Sequence, residues 1–440
     1  MSARNRELMA LVPASLLLTA GFAAIFIQQS ERLSDVSLTY GAIFLALCVA
    51  GHFVIRFTLP YADPYLFPLV SVLACFGLVV IYRIDETLAR EQAQWFVVGL
   101  VLFATTILLL GDFRVLERYR YTIALAGLFL LLLPRVPGIG QQVNGAYLGV
   151  KLGPIAFQPA EFGKIAIIIF LAAYLRDTRQ VLVQGSRRIL GVTIPPLKHL
   201  GPLLVVWGAA MFMLVFIRDL GSSLMYFGGF LALLYVATNR LSFVTIGIAM
   251  FALGAWFFAS TVSHVKDRVN IWLDPFNPEW VDKEGYQLAQ SVFAQADGGL
   301  FGTGFGASLL RGPGGETLIP APHTDLIYSV IVNEVGLMGA CGLLLVYLLL
   351  VERGFKVAIV AGDSFSKLLA TGLTAVLALQ VFVIVGGVTR VIPLTGVTLP
   401  FVSYGGSSIV ANFVLVALLL LVSDRARRPQ SAATARRGAR

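Results

Sequence analysis

Charge is what this chain has least of. Asp, Glu, Lys and Arg make up 13% of its 440 residues, about half the share of an ordinary soluble domain. Cysteine is nearly absent: Cys48, Cys75 and Cys341 each sit inside an apolar run, so no disulfide framework is implied and no redox compartment is set. The histidines are scattered at 52, 199, 264 and 323. None falls in an H-E-x-x-H pattern and no C-x-x-C occurs, which argues against a histidine-built zinc site. A soluble globular enzyme and a disulfide-stapled module are both excluded.

What remains is apolar: 58% hydrophobic residues and a mean hydropathy of +0.83. Runs near 20 residues long, enough to cross a bilayer as helix, occur about twelve times. They lie at about 8–28, 38–57, 65–82, 92–111, 119–134, 160–176, 200–217, 221–238, 242–263, 325–351, 367–388 and 402–423. The first lacks a small-residue cleavage pattern and reads as a membrane helix, not a signal peptide. The expected fold is an all-α polytopic membrane protein with both termini on one side.

The net charge of +9 is topological and calls for no nucleic-acid partner. With cytoplasmic termini, most of the 33 Lys and Arg fall on the inner side, among them Arg114, Arg118, Arg120, Arg176, Arg179 and the arginines of the tail. That is the positive-inside bias. The Arg-, Ala- and Gly-rich tail 425–440 is expected to be disordered and to touch anionic lipid.

This orientation leaves two substantial segments outside, 135–159 and 264–324. Connections beyond about 15 residues are functional or disordered. The longer one carries aromatics, prolines and both charge signs, so the chemistry is expected around it. Its Gly302-Thr-Gly304-Phe-Gly306 run has no strand–turn–helix context for a phosphate loop; it reads as a flexible loop or tight turn, and no nucleotide cofactor is expected. Residues 391–408 interrupt the apolar pattern with Pro393, Gly396, Pro400, Gly405 and Gly406. Such backbone breaks a helix and survives at membrane depth only where protein or water satisfies its polar groups, so a re-entrant or pocket-lining segment is expected there.

Several polar residues stand where they could act. Asp325, in Pro-Ala-Pro-His-Thr-Asp at 320–325, is either a helix cap, as Thr324 could be, or a carboxylate placed to take a proton from a bound hydroxyl. A following helix N-terminus would depress its pKa unless desolvation opposed it. Glu161 and Lys164 share a helix face at i,i+3 and suit an ion pair. They are either interfacial anchors or a functional pair inside the membrane, where Lys164 could face a phosphate. Arg218 and Asp219 occupy a short outer turn and read as a local salt bridge. Arg268 and Arg390 are outer cations whose planar fork suits phosphate. Trp95 is an interfacial belt residue or a sugar-stacking platform. The outer-loop acids Asp267, Asp274, Glu279, Asp282, Glu284 and Asp297 match no calcium-loop spacing.

The ordered motifs extend over most of the chain: Asn144-Gly-Ala, Gln158-Pro-Ala-Glu-Phe-Gly-Lys164, Asp219-Leu-Gly, Arg268 through Asp274-Pro, Gly285-Tyr-Gln, Gly298-Gly-Leu-Phe-Gly-Thr-Gly, His323-Thr-Asp, Glu334-Val-Gly and the 391–408 stretch. Together they resemble the SEDS family (shape, elongation, division and sporulation; RodA, FtsW and SpoVE), with the pattern most similar to actinobacterial RodA-like members. The resemblance implies a peptidoglycan glycosyltransferase that polymerises lipid II on the outer face of the bacterial cytoplasmic membrane. It also implies a class B penicillin-binding transpeptidase as partner, and other elongation or division machinery.

By that resemblance Asp325 is the catalytic aspartate, and Glu161 and Lys164 are the paired charges of the central cavity. Arg268, His323, Arg390, Ser403, Ser407 and Trp95 complete the candidate substrate contacts. A divalent cation, Mg or Mn, shared between Asp325 and the substrate pyrophosphate is the expected metal. A family core of about ten helices, set against the hydropathy count, makes 1–64 an added N-terminal pair and 65–424 the catalytic core. The sequence departs from the family at Tyr147-Leu-Gly-Val, where basic and tryptophan residues are usual, at Arg218 and at Asn333. A lipid II flippase or other transporter and a non-enzymatic scaffold for the transpeptidase are the competing readings.

Overall fold

The computed structural model describes residues 3–30, 35–143, 146–152, 155–184, 187–189, 192–194, 208, 220–307 and 318–428. The helices are α1 (Ala3–Ser30), α2 (Asp35–Thr58), α3 (Leu66–Ile84), α4 (Glu86–Leu109), the single turn α5 (Val115–Arg118), α6 (Arg120–Leu132), α7 (Pro159–Gln184), α8 (Leu220–Thr238), α9 (Leu241–Thr261), α10 (Ser263–Leu273), α11 (Tyr286–Gly298), α12 (Ile327–Val360), α13 (Ser364–Val388) and α14 (Gly406–Arg427). Among the described residues, 8 helices are long and apolar enough to cross a membrane. The apolar stretch 200–217, Arg218 and Asp219 lie outside the described residues, as does the tail from 429. Every other stretch picked out by hydropathy coincides with a helix.

Charged caps divide the apolar runs. The Asp85 carboxylate accepts from the backbone N–H of Thr87 (2.7 Å) and Leu88 (3.1 Å), ending α3 and starting α4. Asp363 accepts from Ser366 N at 3.0 Å and starts α13. Such caps satisfy donors that have no partner within the helix. α13 and α14 are the most enclosed helices, whereas α9 buries few residues. Around α14, Phe413 meets the rings of Phe96 (5.3 Å) and Phe401 (5.4 Å) edge-on, a favoured aromatic geometry. The N-terminal pair belongs to the same body: Cys75 Sγ lies 3.0 Å from Ala14 O, and His52 Nδ1 lies 2.8 Å from the buried Glu7. At that end of the bundle α14 continues to Arg427, which binds Asp63 at 2.5 Å.

The all-α expectation missed two small β units. β1 (Gly140–Val143), β2 (Ala146–Leu152) and β3 (Ile155–Phe157) form an antiparallel sheet in that order, with Val150 opposite both Gly140 and Phe157. Asn144-Gly145 between β1 and β2 is a strong hairpin signal in sequence. β4 (Arg187–Ile189) and β5 (Val192–Ile194) make a second hairpin.

Candidate active site

Between Val388 and Gly406 the chain has no regular structure, as the prolines and glycines there require. Its polar backbone is satisfied by side chains from the surrounding helices. Gln92 of α4 donates to Ser403 O (3.2 Å) and accepts from Gly405 N (3.1 Å). Gln380 of α13 donates to Thr398 O at 2.9 Å, and Tyr347 of α12 donates to Pro400 O at 2.5 Å. These bonds are the protein-supplied partners that irregular backbone needs in an apolar setting.

The same segment holds the loop that bears Asp325. Ser403 Oγ accepts from Leu399 N (2.8 Å) and donates to Thr324 O (2.6 Å). Tyr404 N donates to His323 O at 2.8 Å. A Cβ added at Gly396 would lie 4.0 Å from Asp325 Oδ2. Ser407 Oγ accepts from Gln158 N (2.7 Å), tying the start of α7 to that of α14. Trp95 covers Gly406 so closely that an added Cβ would fall 2.4 Å from its ring.

Asp325 does not cap α12: the residue in the cap position is Leu326, with no side-chain hydrogen bond. Its Oδ1 is instead 2.9 Å from Thr324 Oγ1. Protein encloses the carboxyl although the residue keeps partial exposure, and burial raises its pKa above the ordinary value of 3.8. The Thr324 hydroxyl and the positive Arg268 pull it down without cancelling that effect. Desolvation therefore prevails over the depression expected from a helix terminus. Burial also lowers the pKa of His323 from 6.5, against the opposing pull of Asp85 and Asp325, and Arg268 and His323 both act on the Asp325 carboxyl.

Lys164 and Glu161 are both buried, at 2% and 6% exposure, which rules out the snorkelling anchor. Lys164 Nζ is 2.5 Å from Glu161 Oε2 and 2.7 Å from Gln380 Oε1. Gln380 thus joins the buried pair to the irregular segment. Sequence reasoning missed it, as it missed Gln92; for Gln380 the available signal was a lone amide in an otherwise apolar run.

The described parts of the outer loop, 264–307 and 318–324, are folded. Arg268 Nη1 donates to Leu394 O (2.9 Å), Trp272 Nε1 to Arg390 O (2.9 Å), and Arg390 Nη2 to Leu273 O (3.1 Å). α10 is stapled to the irregular segment by these bonds. The glycine run is hydrogen-bonded to α12. α12 is broken at Gly336, where φ is 69°, and the run fills the break. Thr303 N donates to Asn333 O (2.8 Å), Gly304 N to Glu334 O (3.1 Å), and Leu337 N to Gly299 O (3.0 Å). Glu334 also accepts from Gly306 N (3.0 Å) and lies 3.5 Å from Arg83.

Among the described residues, no three His, Cys, Asp or Glu side chains converge to hold a metal ion. Asp325 supplies one carboxylate, beside a cation and an imidazole. Those residues do not make a divalent-ion cage of the oxygen-rich kind. The arrangement suits a base facing an anionic ligand.

A bundle of apolar helices around a buried ion pair, with a carboxylate held at one end by broken backbone, defines a polytopic membrane protein built for chemistry on a polar group. Residues 64–428 match the family model for the FtsW, RodA and SpoVE cell cycle proteins, and the chain belongs to that family. It is 41% identical to the peptidoglycan glycosyltransferase RodA of Mycobacterium tuberculosis, over 97% of this chain and 92% of the relative. The crystal structure of the Thermus thermophilus rod shape determining protein RodA aligns with a TM-score of 0.58 at 27% identity, covering 84% of this chain and 98% of the other. A chain from a peptidoglycan synthase complex that coordinates polymerization and crosslinking aligns with a TM-score of 0.67 at 27% identity, covering 84% and 99%.

Proposed function

We propose that this chain is a peptidoglycan glycosyltransferase that polymerises lipid II on the outer face of the bacterial cytoplasmic membrane, with both termini in the cytoplasm. Asp325 carries the reading: a carboxylate free of any capping duty, raised in pKa by burial, beside Arg268 and the irregular segment. The similarity to RodA of M. tuberculosis over 97% of the chain supports both the activity and a role in cell elongation.

In this reading Asp325 accepts the proton of the acceptor's N-acetylglucosamine 4-hydroxyl. The oxygen bonds to C1 of the donor N-acetylmuramic acid as the bond from C1 to the lipid pyrophosphate breaks, inverting C1 to a β-1,4 link. A base with a raised pKa is the better proton acceptor, and such assistance is worth about 10²–10⁴ in rate. Arg268 lies where it can oppose the charge growing on the pyrophosphate. The irregular segment, with Ser403 and Arg390 tied into it, forms the wall that positions two lipid-linked substrates.

The partner is a class B penicillin-binding transpeptidase, a reading supported by the likeness to a chain of the synthase complex. The deciding experiment is glycan synthesis from lipid II by the purified chain, alone and with its cognate transpeptidase. Glycan lengthening that disappears in Asp325→Asn supports the assignment. Labelled lipid crossing the bilayer without glycan growth means a flippase, and neither event with the partner present means a scaffold.

A further inference from the structure

The end of the bundle opposite Asp325 carries a polar cavity that the proposed reaction does not use. α12 begins beside Asp325, and the stretch from beyond its break at Gly336 to Val360 extends for about 36 Å before the α12–α13 turn at Asp363. There a cavity of about 530 Å³ opens between that turn, α5 and α7, lined by Arg114, Glu117, Arg176, Asp177, Arg179 and Asp363. A second hollow of about 430 Å³ shares Arg114, Glu117, Arg176 and Asp177 and adds Arg118, Arg120 and Tyr121. The two form one groove.

Its charge does not balance. Five arginines meet three carboxylates, leaving an excess of two positive charges. Arg114 is tied to Asp363 at 3.0 Å, and Arg176 to Asp177 at 2.8 Å and to Glu117. Arg120 pairs with Asp177. Among the described residues, Arg118 and Arg179 make no ion pair. The three carboxylates hold the groove's walls. Arg179 lines the first hollow and Arg118, whose guanidinium stands 5.9 Å over the Tyr119 ring, lines the second, neither held by a carboxylate among the described residues.

Apolar surface continues directly from the groove: Val115 on the turn that bears Arg118 is 48% exposed, Tyr119 52% and Tyr121 58%. A phosphate between arginines with hydrocarbon alongside is the chemistry of a phospholipid. Basic pockets between membrane helices take such headgroups, and juxtamembrane arginines are worth about 1 kcal/mol each. We propose that this groove binds the phosphate of an anionic phospholipid from the leaflet at that end of the bundle. The groove is thereby a lipid site separate from the one at Asp325.

Native mass spectrometry of the full chain, titrated in detergent with phosphatidylglycerol or phosphatidylcholine, tests this directly. Wild type is expected to retain phosphatidylglycerol and not phosphatidylcholine. The Arg118→Ala/Arg179→Ala variant, both of whose sites are exposed, is expected to bind it about 30-fold more weakly, with an unchanged melting temperature in lipid-free detergent. Equal retention by wild type and variant overturns the proposal. So does protection by inorganic phosphate as strong as that by the lipid, which would mean a soluble phosphoester. Binding of an acidic peptide such as polyglutamate to wild type alone, with equal lipid retention by both proteins, would assign the groove to a protein partner instead.

Discussion

Gln380 accepts a hydrogen bond from Lys164 at 2.7 Å across 216 positions of sequence, while its amide nitrogen donates to Thr398 O at 2.9 Å. One fully buried side chain thus serves both the ion pair of α7 and the irregular wall next to Asp325. Gln380→Leu would leave the Thr398 carbonyl unpaired and Lys164 with Glu161 alone. Each buried group so stranded costs about 1–3 kcal/mol. A lowered melting temperature and slower glycan synthesis are expected, with Gln380→Glu, which retains an acceptor for Lys164, recovering part of both. Unchanged stability in Gln380→Leu would sink this account of the wall.

The buried pair itself is predicted to behave non-additively. Removing one partner of a buried ion pair costs about 3–5 kcal/mol because the other charge is left uncompensated. Lys164→Met and Glu161→Gln should each lower the melting temperature strongly, and the double variant should recover much of the loss. Glycan synthesis, if the charges are required for the reaction, should remain low in all three. A double variant no more stable than either single would show that the pair is not coupled as the 2.5 Å contact requires.

Asp325→Asn is expected to reduce lipid II polymerisation by about 10²–10⁴-fold while the chain still folds. Because burial raises the carboxyl pKa above 3.8, the acid limb of the wild-type rate profile should lie above the usual carboxylate range, with activity rising as the group ionises. A folded-state pKa above the unfolded one means that folding takes up a proton between the two values. The group's contribution to stability therefore falls as pH rises through that window. Asn carries no such penalty, so the inactive variant should melt no lower than wild type at neutral pH. Full polymerisation by Asp325→Asn would remove the residue from the chemistry.

The break in α12 is open to the same kind of measurement. Gly336 has φ 69° and a Cβ there would lie 2.3 Å from Gly302 N. The left-handed backbone alone makes Gly336→Ala cost about 1–3 kcal/mol, before the steric conflict is added. Gly302→Ala, with its Cβ 2.2 Å from Glu334 O, should be comparably damaging. Thermal unfolding of the two variants checks this, and a melting temperature unchanged in either would refute the docking of loop on helix.

The membrane helices were legible because burial in lipid imposes a length and an apolar composition that no other constraint obscures. The irregular 391–408 stretch was legible for the converse reason, since proline and glycine there conflict with the helices on either side. Partnerships between distant residues were not. Nothing local marks Gln380 as the partner of Lys164, or Gln92 as the partner of Gly405. Asp325 illustrates the boundary well: its position was readable, but whether it caps a helix depended on where α12 begins. Its raised pKa depended on which groups enclose it. The strands at 140–157 are legible only through the Asn144-Gly145 turn and residue alternation, because they contain no apolar run of membrane length.

The contact between Gly302 and Gly336 also bears on evolution. Each glycine occupies the space that a side chain on the other would need, so neither can drift. Each clash is with backbone, which a change at the other position would not remove, so across related chains both should be retained whatever sugar, lipid or partner each protein handles. Invariance at Gly302 or Gly336 would then record a steric bargain between two stretches of backbone, and it should not be counted as a mark of substrate recognition.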